Sequence, residues 1–272
     1  MDKQVLLLIK LLADLSCKRE KEKASKIKEI KDLLNTDGNL VNEYIPDIYD
    51  NYVPIYFIGV RLAPEYYDVF INEHTDLSLY CAKYGFTLLH YIACHCTYFD
   101  FKIDYFKKIV KFIKKKANGR DITLDVQDYG GNTPIHYLVY QKTKQSIARF
   151  NCLKENGASL DIPNYKGAIP LHYAVAAGFK KIEDLINYNS VYRLDSYNLH
   201  PIDYIVFHAY DTCSLHYRTI LSRLREGMHP NNILGVTIGG EVLYEFIEKS
   251  LYAPPSVLNQ YAIEKQLMDS PL

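Results

Sequence analysis

The residues of this chain best suited to chemistry stand close together in HYIACHC, residues 90–96: His90, Cys94, His95 and Cys96. His90 and Cys94 are four apart, so on a helix they share one face and could hold one metal ion. Zinc, however, needs four converging ligands, and no second Cys or His pair stands at finger-like spacing. A Cys-His nucleophile would need a base within hydrogen-bond reach and an oxyanion site. Adjacent helical residues such as Cys94 and His95 point in different directions. No phosphate-cradling glycine loop and no paired acid and base stand out. The expectation is a non-catalytic chain without cofactor or metal; a thiol or metal-dependent enzyme centred on residues 94–96 is the alternative.

A second chemical feature is charge. KIDYFKKIVKFIKKKANGR, residues 102–120, is locally basic, with Ile103, Phe106, Ile109, Val110 and Ile113 at helical spacing. Its lysines then form a solvated outer face, and binding of an acidic partner or an anionic surface is the alternative. Over all 272 residues, 32 basic side chains balance 32 acidic ones. That balance argues against affinity for nucleic acid through a large positive field. Hydrophobic content of 48% and charged content of 24% suit a folded chain.

The elements that would position these groups come from the apolar pattern. In MDKQVLLLIKLLADLSC, Lys10 and Asp14 interrupt the apolar run and no small-residue cleavage site follows, so neither a secretory signal nor a stable membrane insertion is expected. Leu8, Ile9, Leu12 and Leu15 fall at helical spacing, as do Ile27, Ile30, Leu33 and Leu34 in a second helix over 24–34. Six cysteines, at 17, 81, 94, 96, 152 and 213, show no framework and are expected to be reduced.

Between these ends one spelling recurs. NYKGAIPLHYA (164–174) repeats the layout of DYGGNTPIHYL (128–138), with His136 and His172 separated by 36 residues, and NGA (156–158) lies between them. GFTLLHYIA (85–93) is a further copy, 46 residues before His136, which implies an insertion of about ten residues. VPIYFI (53–58) and DSYNLHPIDYI (195–205) are weaker copies, with Tyr56 and Asp203 in the histidine column. Proline fits a first helical turn, Thr87 and Thr133 can cap it, and Gly131, Gly157 and Gly167 suit tight turns.

This spelling resembles the ankyrin repeat. The resemblance covers roughly residues 46–227 and implies an all-α ankyrin-repeat solenoid of about five helix-turn-helix repeats with short β-hairpin loops. The flanking segments, 1–45 and 228–272, are then helical N- and C-terminal caps, with a turn at HPNN (229–232) and a helix over 242–251. It also implies that His90, His136 and His172 are structural, bonding neighbouring backbone. The degenerate repeats are similar to those of ankyrin proteins that intracellular bacteria and large DNA viruses deploy in host cells, which implies an intracellular protein acting in a host cytoplasm, though without the F-box-like C-terminus of many poxviral members.

Tyrosine supplies 25 of the 272 residues and tryptophan none. One column, Phe57, Tyr91, Tyr137, Tyr173 and Tyr204, follows the histidine position and is expected in the core or in partly buried stacks. A second set, Tyr49, Tyr52, Tyr84, Phe86, Tyr129, Tyr165 and Tyr197, falls at the hairpin tips, where tyrosine offers large contact area at low entropy cost. The expected function is recognition of a protein partner by a monomer. Its contact residues would be Tyr84, Phe86, Asn132, Tyr129, Tyr165, Lys166 and Tyr197 at the tips. From the family's variable inner face come Cys94, His95, Tyr140, Gln141, Ala176, Ala177, Phe207 and His208.

Overall fold

Val5, Leu8, Leu12 and Leu15 recur at three- and four-residue steps and form the buried side of α1 (Lys3–Ser16). Helix α2 (Glu20–Thr36) answers with Ile27, Ile30 and Leu34, while Lys26 on its outer side pairs with Glu29 at 2.8 Å. The two helices pack together, and α1 also packs on α3 (Ile55–Leu62). The structure, a computed structural model, describes residues 3–16, 20–47, 52–94, 101–116, 123–141 and 143–204, together with residues 237–238 and 241–242. The described residues fall into two compact units, one drawn from 1–138 and 143–159, the other from 139–142 and 160–272.

In the first unit, α2 gives way to a 3-10 turn (Gly38–Asn42) that Asp37 caps by accepting from Asn39 N at 3.0 Å. A short antiparallel pair follows, β1 (Tyr44–Pro46) against β2 (Tyr52–Pro54), with buried Ile45 opposite buried Val53. Helix α3 starts directly after Pro54 and is buried over Ile55 to Arg61; a 3-10 turn (Pro64–Tyr66) and α4 (Tyr67–Phe70) fold back on it. Gly59 makes that return possible. A β-carbon there would stand 2.2 Å from the ring of fully buried Phe70. Gly59→Ala is therefore expected to cost about 2 kcal/mol by overpacking, seen as a lower denaturation midpoint; an unchanged midpoint would mean that Phe70 has room to retreat.

Three helical pairs or part-pairs follow. Helix α5 (Leu88–Cys94) precedes α6 (Ile103–Lys116), whose Phe106, Ile109, Val110 and Ile113 are buried at the expected spacing. Helix α7 (Pro134–Tyr140) precedes α8 (Lys144–Glu155), capped by the Thr143 hydroxyl accepting from Ser146 N at 3.0 Å, and α6 packs on α8. In the second unit, α9 (Pro170–Ala177) begins at its proline and ends at Gly178, whose φ of 67° places it in the left-handed region that glycine accepts.

Ile182, Leu185 and Ile186 stand at helical spacing after Gly178, but the segment is not one continuous helix. A 3-10 turn (Ile182–Asp184) is followed by a separate four-residue helix, α10 (Tyr188–Val191). Asn187 explains the break: its side chain accepts from Ser190 N at 2.9 Å and starts a new helix where the old one would continue. Strands β3 (Thr237–Ile238) and β4 (Glu241–Val242) pair antiparallel across a Gly-Gly dipeptide, so Val242 is a strand residue rather than the start of a helix. The rest of the helix expected over 242–251, and the turn at 229–232, lie outside the described residues. The described chain is thus mainly helical, as expected, with strands confined to two short pairs. No helix among the described residues is long and apolar enough to cross a membrane.

Candidate functional site

The turns that precede α7, α9 and the segment after residue 199, called tips below, are built by one local device used three times. Asp128 Oδ1 accepts from Gly130 N and Asn132 N, both at 2.8 Å. Asn164 Oδ1 accepts from Lys166 N and Ala168 N at 3.0 and 3.1 Å, and Asp195 Oδ1 from Tyr197 N and Leu199 N at 2.8 and 2.9 Å. Each acidic or amide side chain thereby closes a five-residue turn on itself. The fourth residue takes positive φ in every case: Gly131, Gly167 and Asn198. The other polar atom of the same side chain reaches a tyrosine nine residues on. Tyr137 OH donates to Asp128 Oδ2, Tyr204 OH donates to Asp195 Oδ2 at 2.7 Å, and Asn164 Nδ2 donates to Tyr173 OH at 2.9 Å. Burial, and then the Asp128 carboxylate, push the Tyr137 hydroxyl far above its ordinary range, so it stays a donor.

The histidine column ties helix starts to tips. Thr87 N and Thr87 Oγ1 donate to His90 Nδ1 at 3.3 and 2.8 Å, which leaves the proton on Nε2 to donate to Asn132 O at 2.8 Å. Thr133 N donates to His136 Nδ1 at 3.0 Å. Ile169 N donates to His172 Nδ1 at 3.1 Å, and His172 Nε2 donates to Leu199 O at 3.2 Å. Burial lowers the His90 pKa to about 4 and His172 also falls below its usual range, so both rings are neutral at pH 7. At the corresponding positions, Asp203 Oδ2 accepts from His200 N at 2.7 Å, as the histidine Nδ1 atoms accept from their own first turns, whereas Tyr56 OH donates elsewhere, to Asp76 O at 3.0 Å.

Within each unit, neighbouring tips are joined by backbone. Ala82 N donates to Tyr52 O at 3.0 Å and Tyr129 N to Tyr84 O at 3.1 Å in the first unit; Ser196 N donates to Lys166 O at 2.7 Å in the second. What this leaves outside is aromatic. Tyr52, Tyr84, Tyr129, Tyr165 and Tyr197 are all exposed, Tyr165 most of all at 72%. Lys166 is exposed beside Tyr165, and Lys83 Nζ lies 5.2 Å from the centre of the Tyr84 ring.

Other expected contact residues stand elsewhere. Phe86 is half-buried, stacked on His90 at 5.8 Å and on Tyr84 at 5.2 Å. Asn132 is half-buried, with its carbonyl given to His90. Cys94 and Gln141 are half-buried, while Tyr140 is exposed with its ring 6.5 Å from Tyr173. Ala176 and Ala177, expected on an open inner face, are buried. Tyr49, His95, Phe207 and His208 lie outside the described residues, as does Cys96, and no group of three or more His, Cys, Asp or Glu among the described residues could hold a metal ion. Of the aromatic column, Phe57 and Tyr91 are buried and meet at 5.2 Å, while Tyr137, Tyr173 and Tyr204 are half-buried.

No protein-family model matches this chain, and no curated protein matches it. Two exposed tyrosines were not signalled by the repeat spelling. Tyr80 places its ring 5.7 Å from Tyr129, and Tyr44 OH donates to Tyr80 O at 2.8 Å. They extend the aromatic edge of the first unit to Tyr44, Tyr52, Tyr80, Tyr84 and Tyr129.

Proposed function

We propose that this chain is an ankyrin-repeat array, a non-catalytic monomer acting inside cells, including a host cytoplasm, that recognises a protein partner through its tyrosine-bearing hairpin tips. The observation that carries the reading is the pairing of rigid, backbone-linked turns with outward tyrosines: the tips are held by Asp128, Asn164 and Asp195, yet Tyr129, Tyr165 and Tyr197 are exposed. Exposed rings add nothing to a core, whereas tyrosines on a fixed scaffold bury large area at low entropy cost when a partner arrives. The recurring histidine bonds and the linked tips support the repeat reading, because within each unit one copy serves the next in the same way: His90 and His172 each bond the backbone of the following tip.

The test compares wild type with Tyr129→Ala, Tyr165→Ala and Tyr197→Ala combined, both verified as folded by circular dichroism, in affinity capture from a eukaryotic lysate. A specific protein held by wild type should bind the variant at least about tenfold more weakly, since aromatic anchors dominate such interfaces. A partner that survives the triple substitution would place the binding surface elsewhere.

A further inference from the structure

We propose that the lysine face of α6 is a second docking surface, for an acidic segment of a partner protein. Residues 102–116 contain seven lysines and a single acidic residue, Asp104. Lys107, Lys111 and Lys115 are exposed and four apart, which sets them in one line about 12 Å long on the helix. Lys108 and Lys114 flank that line: Lys108 lies over the Tyr67 ring at 5.7 Å, and Lys114 donates to Asn156 O at 2.9 Å. The salt bridges at Lys26, His74 and Lys181 include no lysine of α6.

Solvation alone explains this face poorly. Lysines near a helix C-terminus complement its dipole, which accounts for Lys114, Lys115 and Lys116, but not for Lys107 and Lys111 further back. Like charges four apart cost a helix stability, so the row is not there for α6 itself. Helix α2 shows the usual solution: Glu22, Glu29 and Asp32 interleave with its lysines, and Lys26 is paired. The charge-complementary occupant is a run of carboxylates. A membrane surface fits less well, because the apolar side of α6 is buried in packing with α8 and none of its large apolar residues is exposed. Nucleic acid fits less well too: the face offers no exposed ring for stacking, and the chain has no net charge.

Fluorescein-labelled decaglutamate, titrated with the full chain and followed by anisotropy, tests this. Binding is expected at low ionic strength and should weaken at least about tenfold as salt rises from about 0.05 to 0.5 M. Lys107→Gln, Lys111→Gln and Lys115→Gln together should also weaken it about tenfold. The corresponding arginine substitutions should retain binding, and Lys28→Gln with Lys31→Gln on α2 should leave it unchanged. No binding of decaglutamate, equal loss in the α2 variant, or tighter binding of single-stranded DNA or phosphatidylserine vesicles than of decaglutamate would each overturn the proposal.

Discussion

Asp128→Ala is expected to lower the unfolding free energy by about 3 kcal/mol or more, because one buried side chain accepts from two backbone amides and a tyrosine hydroxyl. Removing it orphans Gly130 N and Asn132 N in the tip and leaves the Tyr137 hydroxyl without its acceptor. The chain contains its own control: Asn164 closes the equivalent turn with an amide, accepting two backbone N–H groups and donating to Tyr173. Asp128→Asn should therefore keep the turn, at a cost of about 1 kcal/mol for the weaker, uncharged acceptor. Chemical denaturation of the three proteins measures this. Equal losses for alanine and asparagine would show that charge, rather than turn closure, is what Asp128 contributes.

The second large effect belongs to His90. His90→Ala removes a fully buried ring stacked against Phe86 and set edge-on to Tyr137, together with its bonds to Thr87 and Asn132. A loss of about 3 kcal/mol is expected from cavity and orphaned partners together. The same residue imposes a pH dependence. Its folded pKa, about 4, lies below the ordinary 6.5, so the unfolded chain takes up the proton first as pH falls. Its stabilisation is complete above pH 6.5 and is lost through the window from 6.5 down to 4, reaching about 3 kcal/mol at the acid end. His172, lowered for the same reason of burial, acts in the same direction. Denaturation midpoints should thus fall from pH 7 to pH 5 more steeply for wild type than for His90→Ala; parallel curves would mean that His90 is not held neutral.

Much of this was legible in the sequence because the device is local. A histidine three residues after a helix start meets the backbone of its own first turn whatever lies beyond, so His90, His136 and His172 fall into one pattern. Asp203 keeps the bond to the backbone of its own first turn, whereas Tyr56 in the same column reaches a different carbonyl, Asp76 O. The nine-residue interval from Asp128, Asn164 and Asp195 to a tyrosine is equally present in the spelling. Its meaning was hidden, since a tyrosine in an apolar column reads as core until its hydroxyl is seen to reach a turn. Phe86 shows a related effect: two residues before a helix it lies near the tip, yet stacking on His90 leaves it half-buried rather than exposed like its neighbour Tyr84. Ala176 and Ala177 are small enough to be covered by neighbours, and composition does not reveal that. Tyr44 and Tyr80 carry no motif, and only their proximity to other rings assigns them to the edge.

The turns also separate what must stay from what is free to change. At Tyr165 and Tyr197 the bonds that close the tips are made by other side chains and by main chain, and the phenol rings project away. Substitutions at these positions leave the Asn164 and Asp195 closures intact, so an altered surface would not have to be invented together with an altered scaffold. Lineages under pressure from a changing target could revise the two tips one codon at a time, each intermediate remaining folded and open to selection.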